Sequence, residues 1–214
     1  MARKSAGEEL LENAYRLATP ADSIAYYRRF AATYDSDFVE ALGYVYPKAV
    51  AAAYRAGARA DDVPIADIGC GTGAVAAALG LPAEAIDGFD ISEAMLGVAA
   101  QKRLYRALHA VDLTASLDAM PRDYGAVVSS GTFTHGHLGP DALENLLAIA
   151  RRGALFVIGV NETHFAGQRF GEALEAMTAA KLIGWVTVDR VRTYAKAGHA
   201  HSDDHVLILD FRKL

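Results

Sequence analysis

The sequence has little cysteine and no long apolar run, and each absence argues against a class of protein. Cys70 is the sole cysteine among 214 residues, so no disulfide can form within the chain, which favours a reducing compartment. The N-terminal sequence M-A-R-K-S-A-G-E-E-L has no apolar segment behind its basic residues, unlike a secretory signal. No apolar run approaches the ~18–20 residues that span a membrane. We therefore expect a cytoplasmic protein with no membrane partner.

Basic residues are fewer than acidic residues, with 21 Lys and Arg against 26 Asp and Glu. The formal net charge is −5, and no basic stripe appears along the chain, which argues against a nucleic-acid partner. Hydrophobic residues make up 52% and charged residues 22%, the balance of a folded globular protein. The length suits one structural domain, which we divide into an N-terminal helical segment (1–60) and a core (61–214). The oligomeric state cannot be read from these features.

Two hydrophobic patterns follow each other along the chain. Helical spacing over the first 60 residues predicts helices at 8–18, from Asp22 or Ser23, near 35–37 and at 48–55. From residue 63 the pattern alternates, and it predicts strands at 63–68, 85–90, 107–111, 125–130, 154–160, 184–194 and 205–212. Helices are predicted between them at 72–79, 92–103, 140–151 and 166–182. The last two strands have no helix between them and should form a hairpin, so the final strand is antiparallel in a mostly parallel sheet.

The most informative stretch is V-P-I-A-D-I-G-C-G-T-G-A at residues 63–74. A short buried strand runs into three glycines at every second position, and a run of small residues that can begin a helix follows. Such a turn leaves the backbone N–H groups open to a nucleotide-like ligand. The dinucleotide fingerprint G-x-G-x-x-G has a different spacing, which disfavours a nicotinamide-dependent oxidoreductase.

This stretch resembles motif I of the class I S-adenosylmethionine (SAM)-dependent methyltransferases, hDhGCGTG. The matching residues, which the resemblance assigns to cofactor binding, are Asp67, Gly69, Cys70, Gly71, Thr72 and Gly73. The resemblance implies an α/β, Rossmann-like fold with a seven-stranded sheet and SAM as cofactor. The glycine turn would lie against the methionine part of SAM, with Asp67 ordering the turn. The N-terminal helices would form a lid over the site.

Ligands in such sheets bind beyond the carboxyl ends of the strands, so the residues found there are candidates. Asp90 follows the second strand and can accept both hydroxyls of a ribose, with Ile91 and Met95 beside the adenine. The alternative is that Asp90, or more simply Ser92, caps the following helix. By resemblance, Asp112 would take the adenine amino group and the backbone of Leu113 the ring nitrogen, the alternative being that Asp112 is an exposed loop acid.

The fourth predicted strand ends in S-S-G-T-F-T-H-G-H. By resemblance, the methionine and sulfonium region of SAM would be lined by Ser129, Ser130 and Gly131. His135 and His137 follow at once, and either could remove a proton from an acceptor at neutral pH. Asn161, Glu162 and His164 point to the same edge as weaker candidates. The alternative for the histidines is packing within a loop.

An aromatic segment, Y-Y-R-R-F-A-A-T-Y-D, lies in the N-terminal helices. It resembles the segment that covers the cofactor in many small-molecule methyltransferases, with Tyr27 and Tyr34 in the matching positions. Aromatic faces suit a positively charged methyl donor, although such rings also pack in ordinary cores. With the stretches at 104–108, 131–137, 172–177 and 188–190, the segment resembles the methyltransferase-like proteins named for the Williams–Beuren syndrome region.

Histidines and acids also cluster in the final hairpin, at His199, His201, His205, Asp203 and Asp204. Residues of this kind can bind metal, but a solvated turn explains the cluster more simply, and we assign no metal site. We interpret the protein as a SAM-dependent methyltransferase of a small-molecule acceptor. The alternatives are methylation of a protein and SAM binding without turnover.

Overall fold

The computed structural model describes residues 6–14, 17, 19–115, 117, 120–134 and 138–214. The predicted bases His135 and His137 lie outside the described residues, so their placement stays a prediction. The described part of the chain contains no helix with both the length and the hydrophobicity of a membrane span.

A seven-stranded sheet forms the centre of the molecule. Its strands are β1 (Ile65–Ile68), β2 (Ile86–Asp90), β3 (Ala107–Ala110), β4 (Tyr124–Phe133), β5 (Ala150–Asn161), β6 (Thr187–Arg192) and β7 (His205–Arg212). Their order is β3-β2-β1-β4-β5-β7-β6. The strands from β1 to β5 pair in parallel, and β7 runs antiparallel to both of its neighbours. The predicted Rossmann-like fold with an antiparallel last strand is confirmed.

Eight α-helices, one π turn and one short 3₁₀ helix (Ala83–Ala85) accompany the sheet in the described residues. The α-helices and the π turn are α1 (Ala6–Ala14), α2 (Pro20–Phe30), the π turn (Asp35–Glu40), α3 (Tyr46–Gly57), α4 (Ala74–Leu79), α5 (Glu93–Lys102), α6 (Asp141–Ile149), α7 (Glu162–Gly167) and α8 (Phe170–Ala179). Because strand side chains alternate between faces, Leu155 and Val157 pack with α3 and α4, whereas Phe156 and Ile158 pack with α6 and α8. The central strands β1, β2, β4 and β5 are therefore largely buried on both faces, as in a parallel sheet covered by helices, whereas the edge strand β6 is mostly exposed.

The predicted helix at 166–182 is two helices in the structure. Asn161 caps the first of them, since its side-chain oxygen accepts the backbone N–H of His164 at 3.0 Å. That helix ends at Gly167, and Arg169 then takes a left-handed conformation with φ 57°, which interrupts the helical path before α8. Apolar periodicity continues through the break, so the pattern alone did not reveal it.

The N-terminal helices divide by what they pack against. α3 lies on the sheet beside α4, and its Val50 and Ala51 are fully buried there. The chain before it forms a separate cluster around Phe38, Leu42 and Tyr194. This cluster is joined to the β6–β7 connection by backbone bonds, from Val45 N–H to the carbonyl of residue 193 and from the N–H of residue 195 to the carbonyl of residue 43.

Candidate functional site

A cavity of about 300 Å³ opens at the carboxyl ends of β1, β2 and β4. We call its lining residues within 69–75, 90–95, 112–114 and 130–132 the floor, and those within 20–47 the roof. The floor residues are Gly69, Cys70, Gly71, Thr72, Ala74, Val75, Asp90, Ile91, Met95, Asp112, Leu113, Thr114, Ser130, Gly131 and Thr132. The roof residues are Pro20, Ser23, Tyr27, Tyr34, Tyr44 and Pro47, and Leu138 completes the wall.

The glycine turn of the floor has a backbone that only glycine adopts freely. Gly69 has φ +66°, and a Cβ there would lie 1.8 Å from Thr132 Oγ1, so its place is fixed by packing. Gly71 has φ +53°, and a Cβ there would find no protein atom nearer than Met95 Cε at 3.5 Å. Because Gly71 lines the cavity, such a Cβ would take up space that is open to a ligand.

Asp90 holds the floor together at the end of β2. One carboxylate oxygen accepts the backbone N–H of Gly71 at 2.8 Å, and the other accepts the N–H of Ser92 at 2.8 Å. Burial raises the pKa of this carboxyl, and the backbone N–H bonds oppose that rise. The cap of α5 is Ser92, whose hydroxyl accepts the N–H of Met95. The helix-cap role therefore belongs to Ser92, and Asp90 lies in the cavity wall.

Asp67 lies behind the glycine turn rather than in the cavity wall. Its side chain is fully buried, and it accepts the hydroxyl of Tyr105 at 2.8 Å. Burial raises the pKa of Asp67 to about 7; the Tyr105 hydrogen bond opposes this rise, and the nearby charge of Asp90 adds to it. The carboxyl supports β1 and the turn from below.

Most of the predicted cofactor residues come together around this one cavity. Thirteen of the sixteen line it: Tyr27, Tyr34, Gly69, Cys70, Gly71, Thr72, Asp90, Ile91, Met95, Asp112, Leu113, Ser130 and Gly131. The other three are Asp67, Gly73 and Ser129, which lie just outside the wall. The hydroxyl of Ser129 is buried and donates to the carbonyl of Ile68 at 2.8 Å, so it ties β4 to β1.

The loop after β3 forms the far end of the floor. One oxygen of Asp112 accepts both the backbone N–H and the hydroxyl of Thr114, at 2.9 and 2.6 Å. The carboxylate is thereby fixed at the cavity edge, and its second oxygen has no hydrogen-bond partner among the residues that the structure describes. Asp112 is partly exposed and lines the cavity, and its part in cofactor binding stays a prediction.

Aromatic rings dominate the roof. Tyr27 and Tyr34 meet edge to face with centroids 6.2 Å apart, and Tyr34 stacks on Phe38 at 5.0 Å. Phe38 also contacts the ring of Tyr44. The hydroxyl oxygen of Tyr44 lies close to the floor, since a Cβ on Gly131 would be 2.7 Å from it. Burial raises the pKa of Tyr27 and Tyr34, and the charge of Asp90 raises that of Tyr27 further. These phenols stay protonated at neutral pH, so they can donate hydrogen bonds but cannot act as bases.

Several lining residues were not predicted from the sequence. They are Pro20, Ser23, Tyr44, Pro47, Ala74, Val75 and Thr114, whereas the sequence predicts that the loop from Thr132 to Leu138 borders the acceptor pocket, and both of these residues line the cavity. The run G-Y-V-Y-P was a signal for Tyr44, since aromatic residues there continue the segment that holds Tyr27 and Tyr34. Pairing of Tyr44 with Tyr194 across 150 positions, which sets its place, had no signal in the local sequence.

The weaker candidates of the sequence lie outside the cavity wall. Asn161 caps α7, and Glu162 forms an ion pair with Arg190. His164 is buried, and its Nε2 lies 2.9 Å from the carbonyl oxygen of Leu138, which fixes the end of the loop after β4.

The polar groups of the final hairpin bond to one another. His201 Nδ1 lies 3.0 Å from Asp204 Oδ2, and the N–H of His201 points to His199 Nδ1 at 3.3 Å. Within the described ranges, no three His, Cys, Asp or Glu side chains are grouped so as to hold a metal ion.

Comparisons with known proteins give a family-model match to part of the chain and a fold for the whole of it. Residues 65–154 match the model of a family described as a methyltransferase domain. This match covers β1 to the middle of β5 and includes the whole floor. A comparison with curated protein sequences finds no match.

Three solved structures illustrate the similarity. A TehB-like SAM-dependent methyltransferase from Corynebacterium glutamicum is 22% identical, with 92% of this chain and 100% of that chain covered and a TM-score of 0.57. The plantazolicin methyltransferase BpumL, in complex with SAH, is 15% identical over 98% and 99% of the chains, with a TM-score of 0.60. Magnesium protoporphyrin IX methyltransferase from Synechocystis, with bound SAM, is 14% identical over 100% of both chains, with a TM-score of 0.55.

At these identities the structures establish the fold, and they do not test the narrower resemblance to the Williams–Beuren group. The glycine turn and its partner acids lie inside the matched segment, on the sheet edge where this fold places its ligand site. Residues 65–154 thus match a methyltransferase domain, and the chain as a whole has the Rossmann-like methyltransferase fold.

Proposed function

We propose that this protein is a SAM-dependent methyltransferase that transfers a methyl group to a small-molecule acceptor. The cofactor is S-adenosylmethionine. One observation carries the proposal: the glycine turn, Asp90 and Asp112 open onto a single cavity, within the segment that matches a methyltransferase domain. The spacing along the chain alone would not require the three to meet.

The floor has groups suited to each part of the cofactor. Each oxygen of Asp90 already accepts one backbone N–H, and a carboxylate oxygen has a second lone pair, so both oxygens can still accept ribose hydroxyls. The free oxygen of Asp112 can accept the adenine amino group, and Ile91 and Met95 provide apolar contacts for the ring. The glycine turn leaves room for the methionine part at Gly71.

The roof determines what reaches the reacting atoms. SAM, when bound, supplies an electrophilic methyl group on a sulfonium. Tyr27, Tyr34 and Tyr44 would exclude water from this region and present ring faces and hydroxyl oxygens to positive charge. Holding the acceptor close and aligned would provide most of the rate enhancement. His135 or His137 would take the proton of an acceptor that must lose one.

A small molecule suits this cavity better than a protein surface does. The roof residues face the floor across a cavity of about 300 Å³, a volume on the scale of a small-molecule site. The structures with this fold include methyltransferases named for plantazolicin and for magnesium protoporphyrin IX. The cavity thus favours the small-molecule acceptor over the protein acceptor.

The test has two steps. Calorimetry with SAM, S-adenosylhomocysteine (SAH) and NAD should give binding of the first two alone. Methyl-labelled SAM is then incubated with the protein and either a small-metabolite extract or unlabelled cellular proteins. Label in the metabolite fraction supports the proposal, and label in the proteins indicates a protein methyltransferase. SAM binding with no transfer in either mixture would indicate a SAM-binding protein without turnover.

A further inference from the structure

We infer that Asp35 is a positioning residue that holds the roof of the cavity against the glycine turn and so controls how long the cofactor stays bound. The inference rests on the proposed SAM-binding function, and it concerns a residue outside the cavity wall and outside the segment that matches the methyltransferase domain.

Asp35 joins the roof to two parts of the protein beneath it. Its Oδ1 accepts the hydroxyl of Thr72, in the glycine turn, at 2.6 Å. Its Oδ2 forms an ion pair with Lys102 at the end of α5. These partners lie 37 and 67 positions away in the sequence, so the contacts are tertiary and not part of local helix geometry. One carboxylate therefore connects the N-terminal segment, the turn and α5.

The local backbone links Asp35 to the cavity. Asp35 is the first residue of the π turn, and Tyr34, directly before it, lines the cavity. π turns are rare and occur frequently at functional sites. Here Tyr34 lines the cavity, whereas Asp35 does not line it and is bonded to Thr72 and Lys102. Movement of Asp35 away from Thr72 would therefore move Tyr34 as well.

The C-terminal part of the roof range 20–47 is held by contacts of another kind. The backbone bonds that join 43–45 to 193–195 fix it to the β6–β7 connection, and Lys196 Nζ donates to the carbonyl of Glu40 at 2.7 Å. That end is at the β6 side of the sheet, whereas Thr72 follows β1 and Lys102 ends α5, which packs on β2 and β3. Asp35 is thus a side-chain attachment at the end of the roof nearest the cofactor floor, where α2 also packs against α5. Loss of Asp35 should loosen that end and leave the backbone anchor in place.

The experiment measures the dissociation rate of SAH by stopped flow. Asp35→Ala should raise this rate by about tenfold, since it removes hydrogen bonds to a charged group that is partly exposed. Asp35→Asn should have a smaller effect, because an amide oxygen can still accept the hydroxyl of Thr72. Lys102→Met should raise the SAH dissociation rate as much as Asp35→Asn does. The double variant Asp35→Asn/Lys102→Met should dissociate SAH no faster than either single variant, because both substitutions remove the same ion pair.

Asp37→Ala is the matched control. Asp37 is an acid in the same π turn, and its carboxylate accepts a hydrogen bond from Ser36 within that turn. Its removal should leave the SAH dissociation rate at the parental value. Equal dissociation rates in Asp35→Ala and Asp37→Ala would overturn the inference.

Two further measurements separate positioning from a general loss of stability. Urea unfolding without ligand should give nearly equal midpoints for the parent and Asp35→Ala, and a large drop confined to Asp35→Ala would overturn the inference. Trypsin cleavage after the exposed Arg28 and Arg29 of α2 should be slowed by SAH in the parent, and much less in Asp35→Ala. If the parent itself fails to bind SAH in calorimetry, the proposed function fails and this inference with it; if the parent binds and Asp35→Ala behaves like the parent, this inference alone fails.

Discussion

The floor and the roof of the cavity are built by different means. In the floor, backbone and short side chains at the strand ends hold one another, as when Asp90 accepts the N–H groups of Gly71 and Ser92. In the roof, tyrosine rings on helices contact one another and reach the floor through side chains such as Asp35. The floor is therefore fixed by the sheet, whereas the end of the roof nearest the floor depends on side-chain contacts that a single substitution can weaken. This difference predicts that floor variants reduce cofactor affinity most, while roof variants have smaller effects or change how fast the cofactor dissociates.

The largest expected effect comes from placing a methyl group in the floor. Gly71→Ala should weaken SAM binding by about a hundredfold or more, at least ~2.7 kcal/mol, because its Cβ enters the open space of the cavity. Calorimetry with SAM measures the loss.

Gly80→Ala is the control for that comparison. Gly80 also has a left-handed backbone, with φ +65°, but a Cβ there would meet nothing within 4 Å, and Gly80 lies at the end of α4. Gly71→Ala and Gly80→Ala both place alanine in a left-handed conformation, so their backbone strain is similar, but only the Cβ of Gly71→Ala lies in the cavity. Equal SAM affinities for the two would show that the glycine turn does not approach the ligand.

Asp90→Ala should have the next largest effect. The floor would lose the carboxylate that orders Gly71 and that we assign to the ribose, so SAM affinity should fall by about ten- to a hundredfold, ~1.5–3 kcal/mol. Ser92→Ala removes the cap of α5 and leaves the cavity wall intact. SAM titrations should therefore separate the two variants clearly, and a loss in Ser92→Ala as large as that in Asp90→Ala would return the main role to the helix cap.

The floor was accessible to sequence reasoning because each of its parts is local. The glycine turn, Asp90 and Asp112 each follow a strand within a few residues, so predicting the strands and their parallel order placed them together. Tyr44, by contrast, is placed by pairing with Tyr194, and Asp35 by Thr72 and Lys102. Contacts of this kind depend on the packing of whole helices, which hydrophobic periodicity does not specify.

The break between α7 and α8 shows the same limit within the core. The apolar pattern of 166–182 continues across it, and the interruption depends on the left-handed conformation of Arg169. Asp67 is a further instance: its motif position was clear from the sequence, but its full burial against Tyr105 was not. Whether a side chain next to a turn lines the cavity or lies buried behind it depends on tertiary packing, which the spacing of residues along the sequence does not specify.

The buried carboxyl of Asp67, behind the glycine turn, should make the folding stability of the protein depend on pH. Burial raises its pKa to about 7, well above the ordinary 3.8, so between pH 4 and pH 7 the folded protein keeps a proton that the unfolded chain releases. Folding stability from this group therefore falls as the pH rises across that window and is lost above pH 7. Relative to the parent, Asp67→Asn should gain about 3 kcal/mol of stability as the pH rises from 5 to 8, because each pH unit below the raised pKa is worth about 1.4 kcal/mol.

Asp87→Asn is the opposite case and serves as the control for Asp67. Burial raises the pKa of Asp87, but hydrogen bonds from Arg106 and Tyr124 outweigh it and lower the pKa below its ordinary value. Its stabilising charge is present throughout pH 5–8, so the variant should be destabilised about equally across that range. Urea unfolding at pH 5, 6, 7 and 8 measures both variants. A parallel pH dependence of Asp67→Asn and the parent would show that Asp67 titrates normally.

The smallest expected effect lies in the roof, at the hydroxyl of Tyr27. Tyr27→Phe keeps the ring contacts with Tyr26 and Tyr34 and removes a hydroxyl that lies close enough to Asp90 to feel its charge. We expect SAM affinity to fall by about two- to fivefold, ~0.5–1 kcal/mol, the value of one neutral hydrogen bond. Because the phenol stays protonated, the ratio of parental to variant affinity should be constant from pH 6 to pH 9.

Tyr26→Phe is the control, since the hydroxyl of Tyr26 donates to the carbonyl of Leu10, away from the cavity. If Tyr27→Phe weakened SAM binding as much as Asp90→Ala does, the roof would be as essential to cofactor binding as the floor, and the division between them would not hold.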